Sequence, residues 1–282
     1  MLTLVSQFLA VLPLSIIHRI GVAIGWALHI ATPASASIMR QNITQSGLAT
    51  TDTQREQLIT RNIAETGKAI VETLAIWQLP QAKALRLVNA FDGWPLVEAA
   101  LARGKGIVFL TPHLGCFEIA SIYYGAHHPL TVLFRPPKKS WLSPMINAGR
   151  SKGHVTLAPA NVQGVRSLMQ ALKRGEAVGI LPDQIPAEGE GEWADFFGKP
   201  AYTMTLASRL AEKTGATVLM VVGERLPNSQ GYAIHVSALA DGEINTPAGL
   251  NHAIERQIAQ HPAQYLWRYN RYKVRRGSKK QA

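Results

Sequence analysis

Only one cysteine, Cys116, occurs among the 282 residues, so no intrachain disulfide can form and no cysteine cluster can hold a metal. The nine histidines show no H-E-x-x-H or comparable ligand spacing, and no metal is expected. There is no Walker A motif, no GxGxxG after a strand and no internal repeat, and no cofactor is expected. Charge is scarce at the start of the chain: across residues 1–39 the only Lys or Arg is Arg19, and Asp and Glu are absent. Acid is scarce at the other end, where none follows Glu255. Charged residues make up 17% and hydrophobic ones 47%, a low charge for a freely soluble protein and a sign of contact with lipid. What charge there is leans positive: 29 Lys and Arg against 18 Asp and Glu give +11. That excess suits an anionic partner such as a phosphorylated lipid, an acidic bilayer surface, an acidic carrier protein or nucleic acid. The length is enough to bury a sizeable core in one large domain.

A clean run of about 20 apolar residues, the length of a spanning helix, is also missing. Instead two apolar runs, 2–17 and 20–31, meet at His18-Arg19, with Pro13 inside the first. Three readings fit: hydrophobic helices that anchor in or dock on a membrane, a buried helical hairpin, or a signal peptide ahead of Ala34 and Ala36. The last lacks a basic segment before the apolar run. Residues 1–39 are therefore read as membrane-anchoring or membrane-docking helices, and Arg40 with the basic residues after it favours a cytoplasmic body. Residues 40–282 form the main domain: a helical lead-in (40–103), an α/β core (104–262) and a basic aromatic tail (263–282). In the lead-in, Thr51 and Gln54 make a capping box, helical periodicity runs from Leu58 to Trp77, and Pro80 ends it.

The stretch KGIVFLTPHLGCFEIA, 105–120, organises the core. Ile107–Leu110 reads as a buried strand, Thr111-Pro112 stops it, Gly115 allows a sharp turn, and a helix begins at Phe117. His113 and Glu118 thus sit where a strand ends and a helix starts, the edge at which open α/β sheets bind ligands. A carboxylate that accepts from an imidazole fixes its tautomer and raises its basicity, which is half of a general-base dyad. The alternative is a helix-capping histidine and an ordinary first-turn acid. Strand–helix alternation continues, so the fold is α/β, a mostly parallel sheet flanked by helices. The loop Arg135-Pro136-Pro137-Lys138-Lys139 ends one strand and is placed to hold phosphate or carboxylate groups, unless it is a solvated basic loop. Asp183, in Pro182-Asp183-Gln184, ends another strand at the same edge, to order a basic loop, contact the acceptor or simply make a turn. The adjacent Phe196 and Phe197 suit either an acyl-chain tunnel or the core. The tail from Arg268 to Lys280 carries seven Lys or Arg interleaved with aromatics, which suits an anionic bilayer or nucleic acid.

Four ordered patches, GKGIVFLTPHLGCFE, FRPPKK, LPDQ with FFGKP, and YLWRYNRYK, resemble the bacterial lipid A biosynthesis (late) acyltransferases, within the lysophospholipid acyltransferase-like superfamily. The likeness covers residues 100–276. In that branch a histidine and an acidic residue are four positions apart, an HX4E pattern, with intervening residues that usually read like Gly-Asn-Trp; here they are Gly115, Cys116 and Phe117. The resemblance implies acyl transfer from an acyl carrier protein thioester, or acyl-CoA, to a hydroxyl of a phosphorylated glycolipid, a lipid A precursor, at the inner membrane. It implies His113 as general base oriented by Glu118. It implies substrate contacts from Arg135, Lys138, Arg150, Asp183, Gln184, Phe196, Phe197, Trp267 and Arg271. Cys116 is not expected as a nucleophile, because thioester–alcohol exchange needs none. Related acyltransferases with a glycerophospholipid, aminolipid or other glycolipid acceptor remain the nearest alternative. A membrane-bound nucleic-acid-binding or scaffold protein is the alternative outside the class, disfavoured by the apolar N-terminus and the strand-end dyad.

Overall fold

Proline and glycine set the breaks in the N-terminal region. The computed structural model describes residues 2–137 and 139–273; Lys138 and the tail beyond 273 lie outside the described residues. Helix α1 (Leu2–Leu9) ends before Pro13, and α2 (Leu14–Ala31) runs without interruption through His18-Arg19. The break expected at His18-Arg19 therefore falls at Pro13, which has no N–H to continue a helix. Helix α3 (Pro33–Ser46) stops at Gly47, which adopts the left-handed conformation at φ 67°. The long α4 (Asp52–Gln78) starts with both bonds of the Thr51/Gln54 capping box. Helix α2 lies on α4 with backbones in contact: a Cβ added to Gly67 would sit 2.0 Å from the Gly21 carbonyl oxygen. The other side of this layer leaves Leu4, Phe8, Val11 and Ile30 exposed.

A short helix α5 (Gln81–Leu85) leads to β1 (Val88–Asp92), a strand inside the stretch read as helical lead-in. Then follow α6 (Trp94–Ala102), β2 (Ile107–Leu110), α7 (Phe117–Tyr124), β3 (Leu130–Phe134), α8 (Ser143–Arg150), β4 (Val155–Pro159), α9 (Val162–Lys173) and β5 (Ala177–Ile180). A separate antiparallel hairpin, β6 (Gly191–Phe196) and β7 (Lys199–Met204), turns at Phe197-Gly198, both at positive φ, the geometry of a two-residue hairpin turn. Tyr202 to Met204 thus belong to β7. Helix α10 (Leu206–Thr214), β8 (Thr217–Arg225), β9 (Tyr232–Ala238) and α11 (Pro247–Gln260) complete the chain of elements.

The main sheet has the order β1-β9-β8-β2-β5-β3-β4. All neighbours are parallel except β8 with β9. Every residue of β2 and β5 is buried, as central strands covered on both faces require. Val108 and Leu110 enter one core layer with α9, α10 and α11, while Ile107 and Phe109 enter the other with α6 and α7. Because β2, β3 and β5 run the same way, their C-terminal ends bring residues 111–118, 135 and 181–184 to one edge.

Candidate active site

Three loops after parallel strands build the site. The loop after β2 is fixed by its backbone: Cys116 N donates to Gly223 O at 2.7 Å, Gly115 N to Gln264 O at 3.1 Å, and Leu266 N to His113 O at 3.1 Å. Gly115 is required here, since at φ 62° an added Cβ would lie 2.1 Å from Gly223 O. The segment 264–266 therefore braces the histidine loop from below, with Leu114 bridging to Tyr265.

His113 meets Asp183 twice. Its ring Nδ1 lies 2.8 Å from Asp183 Oδ1, and its backbone N–H donates to Oδ2 at 3.0 Å. Asp183 is buried. Burial pushes its carboxyl up, but the neighbouring His113 and the hydrogen bonds it receives outweigh this and hold the pKa below its ordinary value. An ionised carboxylate only accepts, so the imidazole proton is on Nδ1 and Nε2 keeps its lone pair. Gln184 Nε2 stands 3.1 Å from that Nε2. The buried Tyr265 phenol lies beside Asp183; its pKa is pushed up by burial and by that negative charge.

Glu118 makes its hydrogen bonds with Arg150 and not with the imidazole that the HX4E spacing suggested. It is buried in the first turn of α7, and Arg150 at the end of α8 holds it, Nε donating at 2.9 Å and Nη2 at 2.5 Å to Oε1. The helix turn sends Glu118 along α7 toward α8, whereas the loop after β5 carries Asp183 directly under the ring. Arg150 is set in turn by α4: its guanidinium lies 5.5 Å from the Trp77 ring, and Gly149 packs where a Cβ would come 2.4 Å from Trp77. Lys152 Nζ donates to Ile76 O at 2.6 Å, capping α4, and burial pushes its pKa down to about 8.

His113, Phe117, Glu118, Arg135, Arg150 and Gln184 surround the mouth of a cavity of about 640 Å³. Below them its wall is apolar, with Phe109, Leu130, Val132, Val221, Ile234 and Val236 on the α6–α7 side of the sheet. The size is that of a small-molecule pocket, and the lining suits an alkyl chain. The buried Cys116 is a poor nucleophile, because burial pushes its thiol well up. The N–H of Gly115, a candidate oxyanion donor by position, is taken by Gln264 O. Arg150 and Arg135 are cations at the mouth, and Arg166, Arg209 and Lys213 also line the cavity.

A family model described as bacterial lipid A biosynthesis acyltransferase matches residues 2–274. The chain belongs to this family of acyltransferases. It is 26% identical over 269 residues to the lipid A biosynthesis palmitoleoyltransferase of Escherichia coli (strain K12), covering 94% of this chain and 87% of that protein. It is 24% identical over 270 residues to the lauroyltransferase of the same strain, with 94% and 87% covered. Similarity also reaches the phosphatidylinositol mannoside acyltransferase of Mycobacterium tuberculosis (strain ATCC 25618 / H37Rv), 25% over 202 residues, 67% of this chain and 63% of that one.

In this acyltransferase the remaining expected contact residues divide. Arg135 reaches the cavity, and Lys138 lies outside the described residues. Phe196 is buried in the core, edge-on to Phe197 at 4.9 Å and beneath the Arg271 guanidinium, and neither ring lines the cavity. Trp267 is buried and donates from Nε1 to Pro262 O at 2.7 Å. Arg271 is buried and donates to Tyr202 O and Thr203 Oγ1, both at 2.7 Å. These two residues tie the C-terminal segment to the β6–β7 hairpin, so the aromatic-basic ending acts in packing up to Lys273. Sequence reasoning missed Gln264 and Tyr265 as the brace of the His113 loop; Tyr265 opens the YLWRYNRYK patch and Gln264 directly precedes it, and nothing else marked them.

Proposed function

We propose that this acyltransferase moves a fatty acyl chain from an acyl carrier protein thioester to a hydroxyl of a lipid A precursor, in one ternary complex, with His113 as general base. One observation carries the reading above others: an imidazole held at Nδ1 by a buried carboxylate, with Nε2 at the mouth of an apolar cavity. His113 Nε2 takes the proton of the acceptor hydroxyl as that oxygen attacks the thioester carbonyl carbon. Asp183 keeps the tautomer and stabilises the imidazolium that forms. Charge on the carbonyl oxygen is met by Arg150, which Glu118 holds in place, and by the first-turn amides of α7. The carbon–sulfur bond then breaks, and the departing thiolate takes the proton back from His113. Glu118 acts on the guanidinium and Asp183 on the imidazole, a division of labour that replaces the single His113–Glu118 dyad. Arg135 supports binding of phosphate on either substrate.

The test is acyl transfer by the purified, detergent-solubilised protein, with acyl carrier protein thioester as donor and a tetra-acylated, Kdo-bearing lipid A precursor as acceptor. His113→Ala is expected to lower turnover by roughly 10² to 10⁴-fold. Near-normal turnover in a folded His113→Ala protein would overturn the base assignment. The likeness to the mannoside acyltransferase favours a second reading, a different phosphorylated glycolipid acceptor. Product with a phosphatidylinositol mannoside and none with the lipid A precursor would decide for it.

Helix α2 is long and apolar enough to cross a membrane. Its backbone contact with α4 along one face favours docking on the inner membrane through the opposite face, with the catalytic domain in the cytoplasm. Phe8→Glu is expected to weaken binding to vesicles of anionic phospholipid by at least about tenfold, from the loss of one buried aromatic side chain. Equal flotation of variant and wild type would count against docking.

A further inference from the structure

A second cluster of histidines and carboxylates lies on the sheet face covered by α11, where the proposed acyl transfer makes no use of it. Strand pairing sets Asp92 opposite His235 and Val222 opposite His235, with Glu224 two residues further along β8. Asp92, His235 and Glu224 therefore stand in a row on one face of three adjacent strands. His261, the C-cap of α11, closes over the row from above. His235 Nε2 is 2.9 Å from Glu224 Oε2, and His261 Nδ1 is 3.4 Å from Glu224 Oε1. The three ligand atoms all lie within 4.8 Å of one another. His235 Nδ1 lies 2.9 Å from Asp92 Oδ2.

A neutral imidazole has one N–H and one lone pair. With carboxylates facing both nitrogens of His235, either the ring is an imidazolium that donates from both, or one nitrogen and its carboxylate share a bound cation. A metal ion held by Nε2 and Glu224 meets the second condition. Adjacent donors of a tetrahedral zinc centre are about 3.4 Å apart; His261 and Glu224 stand at 3.4 Å, and the 2.9 Å between His235 and Glu224 opens slightly to admit the ion. Two imidazole nitrogens and a carboxylate oxygen form a borderline-soft set that suits Zn²⁺ better than Mg²⁺ or Ca²⁺. Asp92, accepting from the far nitrogen of His235, has the place of the second carboxylate that orients a metal-bound histidine. The side chains are only partly buried, so an ion can enter from solvent. No linear spacing announces the set, because its donors come from β8, β9 and the end of α11.

We propose that Glu224, His235 and His261 bind a zinc ion, with Asp92 orienting His235. The ion fastens the start of the 261–266 segment to the sheet, and that segment braces the His113 loop. The experiment uses the full-length, tag-free protein, treated with chelator, dialysed, and titrated with Zn²⁺ by calorimetry and with Co²⁺ by visible absorption. One saturating equivalent is expected, with Co²⁺ bands of a four-coordinate site. Zn²⁺ is expected to raise the melting temperature of the wild type and not that of the Glu224→Gln/His261→Ala protein. Asp92→Asn is expected to weaken binding by roughly tenfold or more, the usual effect of losing an outer-shell partner. Circular dichroism of each chelated variant establishes that it is folded. Absence of saturable binding by the folded wild type would overturn the proposal, as would undiminished stoichiometry and affinity in the double variant, which would assign the metal to other histidines.

Discussion

His18 and His113 are both bonded to a buried carboxylate, yet their surroundings differ in one respect. At His18 both ring nitrogens are used inside protein: Nδ1 lies 2.9 Å from Ser229 Oγ and Nε2 3.1 Å from Glu72 Oε2. Glu72 is itself saturated, accepting from Arg225 Nε at 2.8 Å, from Arg225 Nη2, and from the Tyr232 hydroxyl at 2.9 Å. At His113 the carboxylate takes Nδ1, and Nε2 accepts at 3.1 Å from Gln184, which like His113 lines the cavity and not the packed interior. The same residue types thus make a rivet in one place and a base in the other. A histidine–carboxylate pair becomes chemical when its second nitrogen lies on a cavity, where a reactant can displace its partner; when that nitrogen is held in the packed interior, the pair only joins elements, here α2, α4 and β8.

The largest expected effect that sharpens this contrast is Asp183→Asn. An amide in place of the carboxylate can donate to Nδ1 and favour the wrong tautomer, so turnover should fall roughly 10² to 10⁴-fold while KM for the acceptor changes little. Loss of stability with retained turnover would place Asp183 with Glu72 as a structural acid and erase the distinction. Arg225→Met is the matching test on the other side. It takes the guanidinium from the buried Glu72, whose only remaining basic partner is His18, and from Glu65, which keeps Lys68, and urea denaturation at pH 7 should show a loss of about 3–5 kcal/mol. The pH dependence has a definite sign. Burial pushes the Glu72 carboxyl up, but Arg225 and His18 overcome this and hold it down at about 2 against an ordinary 4.5. Its contribution is complete above pH 4.5 and is lost as pH falls toward 2. Without Arg225 the burial is opposed by His18 alone, the carboxyl titrates higher, and protonation relieves the variant. The stability gap between Arg225→Met and wild type should therefore narrow as pH is lowered from 7 to 4. A constant gap would mean that Glu72 is not the acid Arg225 serves.

The sequence made the sheet edge legible, because proline after an apolar run and glycine before a helix are local signals, and parallel strands then force His113 and Asp183 to one side. The α/β class and the capping box at Thr51 were legible for the same reason. The partner of His113 was not. Spacing along the chain favoured Glu118, five residues away, over Asp183, seventy residues away, and only strand order decides which carboxylate lies beneath the ring. The hairpin at 191–204 was hidden because its two-residue turn sets Phe197, at φ 48°, before Gly198, and phenylalanine is not a residue that marks such a turn. Trp267 and Arg271 resembled contact residues because aromatics and arginines mark interfaces and cores alike. Burial, which sequence does not report, assigns them to packing.

The smallest effect concerns Glu118, the residue that pattern and structure place differently. If it serves Arg150 and not His113, the two should behave as one unit. Glu118→Gln keeps the shape of the side chain but weakens a charge-assisted, two-nitrogen bond, and about a tenfold loss of turnover is expected, near 1.4 kcal/mol. The Glu118→Gln/Arg150→Gln protein should then turn over no more slowly than Arg150→Gln alone, since the carboxylate has nothing left to hold. In the Asp183→Asn background, by contrast, Glu118→Gln should still produce its full loss, because it acts through a different side chain on a different charge. Reversal of that pattern, with coupling to Asp183 and additivity with Arg150, would return Glu118 to the imidazole during turnover, and would mean that substrate binding moves α7 against the loop after β5.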